Sequence, residues 1–422
     1  MKTVFGTALR QAAQLTRAQN VMEATRLIKR ALSGRDHAFS PDEHPPERTR
    51  WIEPQAHAAE GGAEQPRLDA GATRASSPDA VAAEARSAAR SKKPLGEVLK
   101  LLRQADLASF DPASPPFVKS RKTPWVPVPV PDGAAYLTKT FTCEAGSRDY
   151  TIYVPSRKGC RKRPLIIMLH GCTQNPDDFA MGTGMNRLAE EQDFIVAYPG
   201  QAVSANPTAC WNWFELAHQM RDQGEPSLIA GMTRAVMAAF DIDAERVYVA
   251  GLSAGGAMAA VMSATYPELY AATGIHSGLA YGSANDMASA FAAMKGTPGL
   301  AQRKGHAKRA NGRARTIVFH GVADPMVHPS NAEAILAGAR AVLTGPAKET
   351  IQAGSAGGRA YTHTVITDAR GIPHVEYWAI EGLGHAWSGG SPEGSYTDQL
   401  GPDASREMLR FFLATQARSG AT

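Results

Sequence analysis

A serine set between glycines, an aspartate and a histidine, each directly after an apolar run, are the residues of this sequence whose types and spacing can do chemistry. The serine is Ser253, at the centre of Gly251-Leu252-Ser253-Ala254-Gly255, a G-x-S-x-G pentapeptide. Residues this common recur in that order by chance, so the context decides. Here a continuous apolar run at 247–250 precedes the motif and a helical pattern at 254–266 follows it. A strand–turn–helix frame forces the serine into a strained turn and exposes its Oγ at a helix N-terminus, where the dipole favours developing negative charge. A hydroxyl is a weak nucleophile and needs a base, which in turn needs an orienting group.

Two downstream motifs supply those partners. His320-Gly321-Val322-Ala323-Asp324 follows the apolar run 316–319 and puts a carboxylate at a strand tip. Gly382-Leu383-Gly384-His385-Ala386-Trp387 follows the run 376–380 and puts an imidazole on a glycine-rich loop. The chain order Ser253, Asp324, His385 is the order in which α/β-hydrolases carry nucleophile, acid and base. Asp286 and Asp368 are rival acids, and His363 and His374 rival bases, but neither rival histidine follows the last strand in a glycine-flanked loop. An acyl-transfer site also needs donors for an oxyanion. His170-Gly171-Cys172-Thr173 follows the run 165–169, so the Cys172 amide is expected to supply one donor and Ala254, directly after the serine, the other. The alternative use of Cys172, as a thiol nucleophile, is not needed once the serine is in place.

These residues require strands that end at one edge of a sheet. Fully apolar runs at 165–169, 194–198, 247–250 and 316–319 read as strands buried on both faces. Helical patterns lie between them at 179–192, 227–240, 254–266 and 330–343, with a closing helix at 405–416. The segments 138–142 and 150–154 read as antiparallel edge strands. The alternation predicts an α/β fold of the α/β-hydrolase type, with a mostly parallel, doubly wound sheet.

Three stretches are distinguished along the chain: a short helical segment at 1–34, an arm at 35–116 and the α/β domain at 117–422. The arm is rich in Ala, Glu, Arg, Pro and Ser, a composition that cannot bury enough apolar surface to order itself. It reads as disordered, apart from an amphipathic helix at 95–104. Prolines at 124, 127, 129 and 131 enforce an extended entry to the domain. Lys and Arg exceed Asp and Glu by 45 to 40, giving a net charge of +5, too diffuse for a nucleic-acid footprint. No apolar run is long enough for a membrane span, and no h-region marks a secretory signal, so a cytoplasmic location is expected. Four cysteines, none in a C-x-x-C pair, suggest neither a disulfide scaffold nor a zinc site. With the closing helix near the end of the sequence, no polymer-binding module is expected to follow it.

The motifs LHGCTQ (169–174), CWNWF (210–214), GLSAGG (251–256), HGVADPMV (320–327) and GLGHAWSGG (382–390) resemble, in this order, those of the polyhydroxybutyrate-depolymerase-type esterases. The resemblance runs over residues 135–415. It implies hydrolysis of a small ester or oligoester without cofactor or metal, and kinship with feruloyl and acetylxylan esterases. Many members of that family are secreted. Because Cys172 and Cys210 fall in two such loops, they are expected to lie close enough to form a disulfide that pins the oxyanion loop, and to stay open in a reducing cytosol. Trp211, Trp213 and Trp387 lie in the same motifs. They read either as core aromatics or as walls for an acyl chain or sugar, and substrate binding is the expectation tested below.

Overall fold

The apolar runs do become strands buried on both faces, and their side chains divide between two cores with a period of two. The computed structural model describes residues 127–157, 162–297, 315–343 and 346–414. In β3 (Arg163–Leu169) Leu165, Ile167 and Leu169 point to one core while Ile166 and Met168 point to the other. In β5 (Ile242–Leu252) Val247 and Val249 oppose Tyr248, Ala250 and Leu252 in the same way. A polar residue on either face of these strands would be stranded without water, which is why the runs are unbroken.

The strands β1 (Ala135–Cys143), β2 (Gly146–Val154), β3, β4 (Ile195–Pro199), β5, β6 (Ala272–His276), β7 (Arg315–Gly321), β8 (Lys348–Ala356), β9 (Arg359–Thr367) and β10 (Pro373–Ile380) form one sheet. Its order is β1-β2-β4-β3-β5-β6-β7-β10-β9-β8. The centre, from β4 to β10, is parallel, and antiparallel pairs flank it on both sides. Helices α1 (Pro176–Thr183), α2 (Met185–Gln192) and α7 (Ala404–Leu413) bury Phe179, Leu188, Met408 and Phe412 on one face. Helices α3 (Gly224–Ala239), α4 (Ala254–Thr265) and α5 (Met287–Met294) cover the other through Leu228, Met232, Met258 and Ala290. Helix α6 (Ser330–Ala341) packs Ile335 and Leu336 on Val318 and Val375.

Several expectations are corrected. The single helix expected over 179–192 is two, because Gly184 adopts φ 60° and its N–H closes α1 on the Ala180 carbonyl. Strand β6 and the β8–β9 hairpin add to the strands that the apolar runs predict. The sequence of β6, ATGIH, is short and carries no alternating pattern. The hairpin does have a signal, Gly357-Gly358 between two alternating segments, both glycines at positive φ. The expected segment 1–34, the arm 35–116 with its helix at 95–104, and residues 415–416 of the closing helix lie outside the described residues.

Candidate active site

Ser253 stands at the junction of β5 and α4 with φ 57° and ψ −119°. That conformation is costly for a residue with a Cβ and persists only where its surroundings impose it. The surroundings are explicit. A Cβ on Gly255 would lie 2.0 Å from the Leu169 carbonyl oxygen, and one on Gly251 would lie 2.4 Å from Gly255. Only glycines let the strand turn this sharply into the helix. The Ser253 N–H donates to the His276 carbonyl at 2.9 Å, which ties the turn to the end of β6.

Asp324 and His385 come from the ends of β7 and β10, neighbours in the sheet. The two loops are zipped together by Val322 N–H to the Ile380 carbonyl at 2.9 Å and Ala323 N–H to the Leu383 carbonyl at 3.1 Å. Gly321 allows this closeness, since a Cβ there would sit 2.2 Å from the Leu383 oxygen. Asp324 Oδ2 accepts from His385 Nδ1 at 2.8 Å. Its Oδ1 accepts from the amides of Met326 and Val327, both at 2.9 Å. Burial alone would push this carboxyl up. The hydrogen bonds from His385 and from the two amides outweigh it and hold Asp324 below the ordinary carboxylate range. An ionised Asp324 is an acceptor only, so the His385 proton sits on Nδ1 and Nε2 is left as a base.

Ser253 and His385 line one cleft with Gly171, Cys172, Gln174, Leu252, Met326 and Tyr396. The Asp324–His385 pair is hydrogen-bonded; Ser253 and His385 share the cleft without a hydrogen bond between them. Cys172 lies on the cleft wall and Ala254 opens α4 directly after the serine. The rivals are elsewhere. Asp286 caps α5 through Ser289, and Asp368 closes a turn onto Arg370 and Ile372. His363 lies on β9 against Glu376 and Trp378, and His374 faces Asp368 at 3.5 Å.

The expected Cys172–Cys210 pairing is present as a disulfide with Cα atoms 4.2 Å apart. A bonded Cys172 has no thiolate to offer, which removes the thiol-nucleophile reading. A buried polar network fixes the same loops. Gln174 Oε1 accepts from Gly171 N–H at 2.9 Å, and its Nε2 donates to Asp178 and to the Ser395 carbonyl. Glu225, fully buried, accepts from the Asn212 amide and side chain and from Gln201, whose Nε2 also donates to the Cys210 carbonyl. Burial pushes the Glu225 carboxyl up against those bonds. Gln174 lies inside a motif, with nothing in its spacing to mark this role, and Glu225 carries no sequence signal at all, since a glutamate at a helix start is ordinary.

Three buried histidines frame the site as neutral rings. His170 Nε2 accepts from Gln201 N–H, so its Nδ1–H donates to the Gly171 carbonyl. His276 Nε2 accepts from Ser388 N–H, and its ring stacks between Phe319 and Trp387. Burial pushes His170 down to about 4 and His276 to about 3. His320, also lowered by burial, donates Nε2–H to the Val327 carbonyl beside Asp324.

The tryptophans correct the substrate-binding expectation. Trp211, Trp213 and Trp387 are 0%, 6% and 1% exposed. Trp211 donates Nε1–H to the His170 carbonyl, and Trp387 donates to Ser405 Oγ while meeting Phe179 edge-on. Trp213 packs edge-on against Phe214. Rings this closed off hold the loops from behind and present no wall to a ligand.

The family described as esterase PHB depolymerase matches residues 148–347. The chain is 34% identical over 258 residues to the poly(3-hydroxyalkanoate) depolymerase C of Paucimonas lemoignei, covering 58% of this chain and 60% of that protein. It is 32% identical over 278 residues to feruloyl esterase B of Neurospora crassa, covering 63% of this chain and 87% of that one. The chain belongs to the polyhydroxybutyrate-depolymerase family of carboxylic ester hydrolases. Within that family its relatives differ in extent. It also matches acetylxylan esterase A of Talaromyces purpureogenus at 31% identity over 195 residues, 43% of this chain and half of that protein's length. An acetyl xylan esterase from Aspergillus awamori shares the fold, with a TM-score of 0.52 at 22% identity, over 66% of this chain and 98% of that one.

Proposed function

We propose that this member of the family is a serine esterase that works through an acyl-enzyme. The observation that carries the reading is Ser253 in a strained strand-to-helix turn, in one cleft with a histidine whose far nitrogen is held by a buried, ionised aspartate. His385 Nε2 takes the Ser253 proton as Oγ attacks the ester carbonyl. The amides of Cys172 and Ala254 take up the negative charge on the carbonyl oxygen. Collapse of the tetrahedral species breaks the bond to the alcohol oxygen, to which His385 returns the proton. Water, deprotonated by the same nitrogen, then releases the acid and restores Ser253.

The substrates proposed are short-chain hydroxyalkanoate esters or oligomers, supported by the likeness to the Paucimonas lemoignei depolymerase. A second reading, feruloyl or acetyl groups on plant polysaccharide, is favoured by the longer match to feruloyl esterase B. A panel of 3-hydroxybutyrate oligomers, methyl ferulate and acetylated xylan separates them, and preference for the oligomers is expected. A fluorophosphonate should label Ser253, and Ser253→Ala should lower kcat by at least ~10⁴ with binding largely kept. Labelling at Ser277 or Ser283 instead overturns the mechanism.

A further inference from the structure

Two side chains reach across the cleft and meet. Tyr396, from the loop after β10, lines the cleft and makes a 3.1 Å hydrogen bond through its phenol oxygen to Oγ1 of Thr173, in the loop after β3. Both residues have a positive φ, 51° and 64°, which side chains other than glycine rarely adopt. Both are locally pinned. Ser395 N–H donates to Asp178 and its carbonyl accepts from Gln174, while the Tyr396 carbonyl accepts from Trp387 N–H at 2.7 Å. Thr173 N–H is bound to the Thr208 carbonyl, beside the Cys172–Cys210 disulfide. The backbone is therefore fixed on either side, in conformations that aim these two side chains at each other.

The Tyr396 ring also stands edge-on to His385, with centroids 6.4 Å apart. His385 is the group that must hand its proton to the departing alcohol, so a wall beside it bounds the alcohol part of the ester. Thr173 adjoins the amide assigned to the carbonyl oxygen. The strap therefore joins the side of the cleft that holds the assigned oxyanion amide to the side that holds His385.

We propose that Tyr396 is a specificity-determining residue, strapped to Thr173 across the cleft, and that it limits the bulk of the alcohol moiety. The proposal rests on the serine esterase reading above. Its test is a set of ester pairs followed by proton release. Ethyl and benzyl acetate vary the alcohol, both being primary; ethyl acetate and ethyl octanoate vary the acyl chain. Tyr396→Ala should raise the benzyl-to-ethyl ratio of kcat/KM by about 5-fold or more, and leave the octanoate-to-acetate ratio within about 2-fold. Tyr396→Phe and Thr173→Ala each remove one end of the same bond without opening the core. Each should raise the alcohol ratio by about 2-fold, and the double variant no further, since effects on one interaction do not add.

An alcohol ratio unchanged in Tyr396→Ala, an equal change in the acyl ratio, or additive single effects would overturn the strap while leaving the esterase reading intact. Wild-type protein inert to all three esters and to a fluorophosphonate would overturn that reading, and the strap with it.

Discussion

Mild acid should destabilise this protein well above the pH at which carboxylates titrate, and the cause is two buried rings, His170 and His276. His170 and His276 are neutral in the fold, lowered by burial to about 4 and about 3. In each, Nε2 accepts a backbone N–H, from Gln201 and from Ser388, so a proton there would set two donors against each other. The unfolded chain binds protons at an ordinary histidine value of about 6.5. Below that value the unfolded state therefore holds more protons than the native one, and stability falls as pH falls. It is fully present above about 6.5 and lost progressively towards the folded values. At about pH 5 the loss is about 2 kcal/mol for each ring and about 4 kcal/mol for the pair, at 1.36 kcal/mol per pH unit. Against a typical total of 5–15 kcal/mol that is a large fraction.

Other buried groups with shifted values act with either sign. His320 is lowered by burial and adds to the loss. Asp324 and Glu376 are held below their ordinary values despite burial, so their contributions are present above the carboxylate range and fade only at lower pH. Glu225, raised by burial, works in the opposite direction and offsets part of the histidine effect. Urea unfolding at a series of pH values, from about 7.5 to about 5, measures the sum as a shift in midpoint at constant m. His276→Gln should be less stable throughout, yet its pH slope should be shallower by about 1 kcal/mol per unit, because one differential proton is gone. A wild-type midpoint that does not move over this range, or a slope unchanged in His276→Gln, would refute the reasoning.

Two more outcomes follow from the same loops. Asp324→Asn keeps the size of the side chain but loses the charge that fixes the His385 tautomer, so kcat for a p-nitrophenyl ester should fall about 10³–10⁴-fold with KM little changed; a fall below about 10-fold would reassign the acid. Reducing the Cys172–Cys210 bond opens a loop of 38 residues in sequence separation, and the oxidised protein should be more stable to urea by about 4 kcal/mol. Equal midpoints with and without reductant would show that the buried Glu225 network holds the loop unaided.

What was legible in the sequence was local. Ser253, Asp324 and His385 each follow a fully apolar run, and a strand buried on both faces can only be written that way, so the strand ends and the residues beyond them could be located without coordinates. Cys172 and Ala254 followed by position alone. The β8–β9 hairpin falls outside that signal, because its polar strands lack the apolar signature and only Gly357-Gly358 marks the turn. Direction was not legible. Trp211 and Trp387 sit in site loops, and nothing in a motif says whether an indole turns towards the cleft or behind it; a hydrogen bond to a buried partner decided each.

Long-range polar pairing was hidden for a related reason. Gln174 meets Ser395 across 221 residues, and Tyr396 meets Thr173 across 223. Neither pair has a periodicity, because the sheet brings their loops together. Strands β3 and β10 lie apart in the sheet, yet the loops after them reach each other over its edge. Ser253, His385 and Asp324, the proposed nucleophile, base and acid, are thus set by the ends of single strands, whereas Thr173 and Tyr396 are set by contacts between loops. Substitutions at strand ends should therefore cost turnover on every ester, and substitutions in the loop contacts should redistribute preference among esters.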